Sequence, residues 1–214
     1  MIDNSVQRMG IGGTDMPRFQ NCRRRLADIV SRFKDDRSAA AAVEFVLVVP
    51  LIVLAYLGAI DLTEGIETDK NVSRTAGIIA NIVAAQQSSV SRTQLDDIVK
   101  IGEATLFPYD RAKPGIRITA IQVASTPSAN PPATVAWSYA SGKLSPDPKN
   151  STIDIPSGFR TNDTFLIKVD VALTYVPVTT WGMRNIVSMD GGLPLAETYY
   201  FAPINSITIA CQSC

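Results

Sequence analysis

The chain has 214 residues, 46% of them hydrophobic, with 20 Lys+Arg against 20 Asp+Glu and a formal net charge of +0. That balance, with no basic run beyond Arg23, Arg24 and Arg25, leaves no electrostatic footprint for nucleic acid. Histidine is absent, which removes Ser/His/Asp and Cys/His nucleophilic catalysis and every His-based metal site.

Residues 1–38 form a basic leader. Arg8, Arg18, Arg23, Arg24, Arg25, Arg32, Lys34 and Arg37 outnumber Asp3, Asp15, Asp28, Asp35 and Asp36, and most of the positive charge lies just before an apolar run. By the positive-inside rule this side stays in the cytoplasm. Before Arg23 the leader holds Gly10, Gly12 and Gly13 and few apolar residues, so it is expected to be disordered.

The apolar run extends from Ala39 to Ile60 and is interrupted by one charge, Glu44. About 22 residues rising ~1.5 Å each span ~33 Å, enough to cross the hydrocarbon core of a bilayer as a helix. A transmembrane segment over 39–62 is therefore expected, followed by an exported domain over 63–214. A cleaved secretory signal fits less well: the leader is long, the run exceeds ~15 residues, and the small residues Ala39 to Ala42 precede it instead of following it. An ionised carboxylate in such a segment costs about 3 kcal/mol on insertion scales, so Glu44 calls for a partner or for snorkelling to the headgroups. Pro50 cannot close its helical hydrogen bond, and a kink is expected between Phe45 and Pro50.

The segment from Arg37 through Ala39, Ala40, Val43, Glu44 and Phe45 to Pro50 and Gly58 resembles the N-terminal motif of the TadE/TadG-like family of tight-adherence pilus assembly proteins. The resemblance covers Phe33 to Gly58. It implies a minor pilin or pseudopilin whose leader is removed by a membrane-embedded prepilin peptidase between Ala39 and Ala40, with Ala39 standing where the family usually has Gly. It further implies that Glu44 neutralises the new amine of Ala40, within the subunit or in a neighbour, and that the break at Pro50 serves filament packing. The implied partners are the membrane, the major pilin, a sister pseudopilin, the prepilin peptidase and the pilus secretion platform in a bacterial inner membrane, with the C-terminal domain periplasmic. No cofactor, small-molecule substrate or catalysis is implied. An uncleaved TadG-like anchor that binds outer-membrane or cell-wall components is the alternative, and a membrane-tethered hydrolase lacks any nucleophile motif.

From Asp61 to about Gln87 a helical period continues, with Leu62, Ile66, Val72, Ala76, Ile79, Ile82 and Val83 on one stripe and Gly65 and Gly77 as soft points. Ser91 and Gln94 have capping-box spacing and open a second helix through Leu95, Ile98, Ile101 and Ala104, ended by Phe107-Pro108. Asp96 and Asp97 mark a solvated face of that helix, not a cation site.

After Pro114 the period becomes two. Strands are expected at Ile116 to Val123, Thr134 to Tyr139, Thr164 to Val176 and Ala196 to Ala202, with Ser206 to Cys211 pairing beside the last. Along Thr164 to Val176, Phe165, Ile167, Val169, Val171, Leu173 and Tyr175 face one way, and Lys168, Asp170 and Thr174 the other. Ser125 to Ala133 and Ser141 to Gly158 read as surface loops, and Asp190-Gly191-Gly192 as a turn. The expected fold is α+β and pilin-like: a transmembrane helix continuing into a long amphipathic helix packed on an antiparallel β-meander. Trp137 and Trp181 are expected as core or layer-edge aromatics. Cys211 and Cys214 lie beyond the membrane, where thiols oxidise, and are a disulfide candidate; no second cysteine pair exists to complete a zinc site.

Overall fold

The computed structural model describes residues 37–109, 111–126, 128, 130–177 and 192–214, with side chains from residue 41 onward. Most of the leader lies outside these residues, as do Trp181, Asp190 and Gly191. Two compact units divide the chain, Met1–Tyr56 and Leu57–Cys214. One helix, α1 (Arg37–Ala84), runs through the boundary and includes Pro50 without interruption.

In the first unit the described side chains of α1 are almost all exposed. Val43, Phe45, Leu47, Leu51 and Leu54 all point outward, and the most apolar window of the helix is wholly unburied. The helix is long and apolar enough to cross a membrane.

The second unit is α+β. After α1 come a short strand β1 (Ser89–Ser91), helix α2 (Arg92–Thr105), strands β2 (Gly115–Val123), β3 (Ala133–Ser141), β4 (Phe165–Tyr175) and β5 (Leu193–Phe201), and a short strand β6 (Ala210–Gln212). The capping box at the start of α2 forms as its spacing predicts: Ser91 Oγ accepts from the Gln94 amide, and Gln94 Oε1 accepts from the Ser91 amide. Two orphan donors are thereby satisfied.

Strands β2 to β5 form one antiparallel sheet in the order β3-β2-β4-β5. This order departs from the expected meander. The β2–β3 hairpin is followed by the long segment 142–164, which carries the chain across the sheet so that β4 pairs with the free side of β2. A second correction concerns the tail. β6 does not join β5; it pairs in parallel with β1, Ser89 opposite Ala210 and Val90 opposite Cys211, in a separate two-stranded sheet.

The helices cover one face of the main sheet. Ile116, Ile118 and Ala120 of β2 and the Phe165, Ile167, Val169, Val171, Leu173, Tyr175 row of β4 pack against Val72, Ala76, Ile79 and Val83 of α1 and Leu95, Ile98 and Val99 of α2. A register shift opposite Ala120 and Ile121 lets β3 present Trp137 and Tyr139 to this core and Ala133 to the other face. Each fully buried aliphatic side chain contributes about 1.5–3 kcal/mol, so this cluster holds the layers together.

Each helical stripe is buried in part as expected: Val72, Ala76, Ile79 and Val83 of α1 and Leu95 and Ile98 of α2 lie in the core, whereas Leu62, Ile66, Ile101 and Ala104 do not. On α1 the buried line is Asp61, Thr68, Val72, Thr75, Ala76, Ile79 and Val83, whereas Leu62 and Ile66 are 66% and 48% exposed. Thr68 and Thr75 can be buried because their hydroxyls donate to the carbonyls of Glu64 and Asn71, each at 2.7 Å. On α2 the buried line is Leu95, Ile98, Val99 and Gly102, and Ile101 and Ala104 face out. Gly65 and Gly77 are contact points, not soft points: the rings of Tyr175 and Tyr199 lie 3.4 and 3.6 Å from where a Cβ would stand.

The second face of the sheet is covered as well. Ile121, Val123 and Leu166 meet Ala133 and Ile155 in a small second core. Beside it, Arg117 binds Asp170 and Asp147, Lys168 binds Asp170, and Thr119 donates to Asp147. Lys168 and Asp170, expected on a solvated face, are each only 13% exposed and pair with one another, Asp170 also with Arg117 and Thr198.

Candidate functional site

The residues singled out from the apolar run lie in consecutive turns of α1. Ala39 and Ala40 are helical in backbone. Glu44, Phe45 and Pro50 are exposed, Phe45 by 68%. Among the described residues nothing forms an ion pair or hydrogen bond with the Glu44 carboxylate. Since α1 carries no other Asp, Glu, Lys or Arg between Ala40 and Ile60, Glu44 is the only fixed charge of that stretch.

The second unit presents a feature that hydropathy alone does not reveal. Where α1 passes from Asp61 to Asp69, a groove of about 560 Å³ opens, lined by those two aspartates and by Leu62, Gly65, Ile66, Tyr175, Pro177, Leu193 and Leu195. The Tyr175 ring lies against Gly65, and its hydroxyl donates to the Asp61 carbonyl at 2.9 Å. Burial, followed by the charges of Glu64 and Asp61, pushes the Tyr175 hydroxyl up to about 12.

A set of polar contacts braces the wall behind the groove. Tyr109 Oη donates to the Thr174 carbonyl at 2.9 Å and accepts from the Val176 amide at 2.7 Å, and its ring packs 5.5 Å from that of Tyr175. Arg111 donates to Glu64 at 2.6 Å and to the Val176 carbonyl at 2.8 Å, with its guanidinium over the Tyr109 ring. The end of β4 is thus fastened to α1. Phe107, two residues before Tyr109, is 79% exposed. What the groove offers is mostly apolar surface with two aspartates in its lining.

At the other end of α1 the chain closes differently. The Ile204 amide and the Asn205 side chain donate to the carbonyls of Ala84 and Ala85, partners that the last helical turn would otherwise lack. The Trp137 indole donates to the Ile209 carbonyl at 2.7 Å, which anchors the tail in the core. Beyond it Cys211 and Cys214 are joined by a disulfide, with Cα atoms 5.8 Å apart.

Asp96 does more than face solvent. It accepts a hydrogen bond from the Tyr139 hydroxyl and so ties α2 to β3, while Asp97 pairs with Lys100 on the exposed side. Among the described residues no group of three His, Cys, Asp or Glu is placed to hold a metal ion. The groove is not legible in the sequence, whose stripe places Leu62 and Ile66 in the core, whereas the structure leaves both exposed. No protein-family model matches this chain, and neither a curated protein nor a solved structure matches it.

Proposed function

We propose that this protein is a single-pass membrane-anchored minor pilin or pseudopilin that takes part in assembling a tight-adherence pilus by docking its helix among those of other pilin subunits. The observation that carries the reading is α1 itself: one continuous helix whose first half exposes an apolar surface bearing a single carboxylate, and whose second half is built into an α+β unit. An exposed apolar surface of that length has to be covered by lipid or by other helices. In lipid alone the Glu44 charge is costly; beside the amine of a processed Ala40, one turn away, it is neutralised. The sequence around Glu44 and its resemblance to the TadE/TadG-like motif support the same reading. Its partners would be the major pilin, a sister pseudopilin, the prepilin peptidase and the secretion platform, and its action is mechanical.

Two measurements test it. N-terminal sequencing and intact mass of protein from cells with and without the peptidase should show a new terminus at Ala40 only in the first case. Glu44→Ala should keep membrane insertion and lose incorporation into the pilus complex; normal incorporation would refute the pairing. One observation favours an uncleaved anchored scaffold instead: Ala39 occupies the position at which the processed motif usually has glycine. An intact leader in cells that contain active peptidase would decide for the scaffold.

A further inference from the structure

We propose that the Cys211–Cys214 disulfide is a thiol-exchange site: an external thiolate attacks Sγ of Cys214, is held there as a mixed disulfide, and is expelled again by Cys211. The two sulfurs stand in unlike surroundings. Cys211 lies within β6, opposite Val90 of β1, and its half-buried side chain packs against the main core. Cys214 lies past the strand and is exposed. Exchange depends on access to the sulfur that is attacked, so Cys214 takes the incoming thiolate and Cys211 is the leaving group.

The segment between the sulfurs is poised to open. Ser213 has φ 72°, in the left-handed region that a side chain disfavours, and a bridge between residues three apart gains little chain entropy to offset that strain. Opening the bridge releases Ser213. Upstream, the Trp137 indole holds the Ile209 carbonyl at 2.7 Å, which keeps Cys211 close to a fixed point while Cys214 swings. In the first step a bond forms between the external sulfur and Sγ of Cys214, the Cys211–Cys214 bond breaks, and its electron pair leaves on Sγ of Cys211, which takes a proton from water. A single external thiol is expelled when Cys211 attacks back and closes the ring. A dithiol attacks its own mixed disulfide with its second sulfur, so that it ends oxidised and both cysteines end reduced.

The test uses the full chain with Cys22→Ser, oxidised, and two probes in separate arms: reduced glutathione, and thioredoxin whose resolving cysteine is replaced by serine. Each reaction is quenched with acid and alkylated, and peptide mass spectrometry locates the adduct. The adduct should lie on Cys214 in at least about tenfold excess over Cys211, and urea should erase that preference along with the burial of Cys211. Once excess thiol is removed the adduct should vanish as the ring closes, whereas with Cys211→Ser added it should persist. Ser213→Gly should shift the glutathione equilibrium about fivefold toward the ring, since glycine accepts the left-handed conformation. A faster glutathione arm supports a small thiol as the natural reactant, and a faster thioredoxin arm a protein one. Adducts shared equally between the two sulfurs in the folded chain, or a ring that stays closed in both arms, would overturn the exchange site. An equilibrium unmoved by Ser213→Gly would overturn the strained ring.

Discussion

A Cβ built on Gly102 of α2 stands 2.4 Å from Cδ1 of Ile79 on α1. Ile79 is fully buried, so its side chain has little room to yield to a larger residue at 102. Nearby, Thr75 and Thr105 share a hydrogen bond of 2.5 Å between the same helices.

Gly102→Ala should therefore destabilise the unit. Overpacking costs about 1–3 kcal/mol, which exceeds the ~1 kcal/mol that alanine gains over glycine in a helix. Ile79→Val removes the clashing methyl and costs about 0.5–1.5 kcal/mol alone. In the double variant the two losses should add to less than their sum. Urea unfolding of the four proteins reads the coupling directly, and strict additivity would mean that the helices separate freely at this point.

Tyr139 and Asp96 set a limit at high pH. Burial, then the bond to Asp96, pushes the Tyr139 hydroxyl up to about 12, from 10.0 in the unfolded chain. A raised folded value means that the contribution is complete below pH 10 and is lost as pH climbs through about 12. Tyr175 behaves alike and for the same leading reason. Ultraviolet titration should show late tyrosinates whose appearance coincides with unfolding, and Tyr139→Phe should remove one of them while costing about 1 kcal/mol at neutral pH.

Asp170 sets the limit on the acid side. Burial alone would raise its carboxyl, but hydrogen bonds from Thr198, Lys168 and Arg117 outweigh that and hold it below 3.8. Its stabilisation is thus present above the ordinary carboxylate value and disappears as pH falls through the folded one. Asp170→Ala leaves Arg117 and Lys168 without this carboxylate and should cost roughly 3 kcal/mol. The variant should also flatten the acid limb of a stability profile measured by circular dichroism; an unchanged limb would show that another carboxylate governs it.

The strands were legible because a period of two survives any tertiary arrangement: the Phe165 to Tyr175 row faces the core as its alternation requires. The capping box at Ser91 was legible because it is local chemistry. The helical stripes were legible in part: Val72, Ala76, Ile79 and Val83 are core as their spacing requires, but hydropathy cannot rank Leu62 or Ile66 against Thr68 or Thr75. Strand order was hidden too, since only the course of segment 142–164 determines which side of β2 receives β4. The parallel pairing of β6 with β1 joins Ser89–Ser91 to residues near the C-terminus, a separation over which no local signal acts.

The terminal disulfide should govern the tail and little else. A bridge between residues three apart in sequence closes a short loop, worth at most about 2 kcal/mol in chain entropy. The Trp137 bond to Ile209 lies upstream of it and holds the tail independently. Without reductant, alkylation of the denatured chain should reach Cys22 alone. After reduction it should reach Cys211 and Cys214 as well, while the global unfolding midpoint moves little. Hydrogen exchange should quicken at Ala210–Gln212 and at their β1 partners Ser89–Ser91, because among the described residues that pairing has two strands only. Faster exchange in β2 or β4 would show instead that the bridge supports the main core.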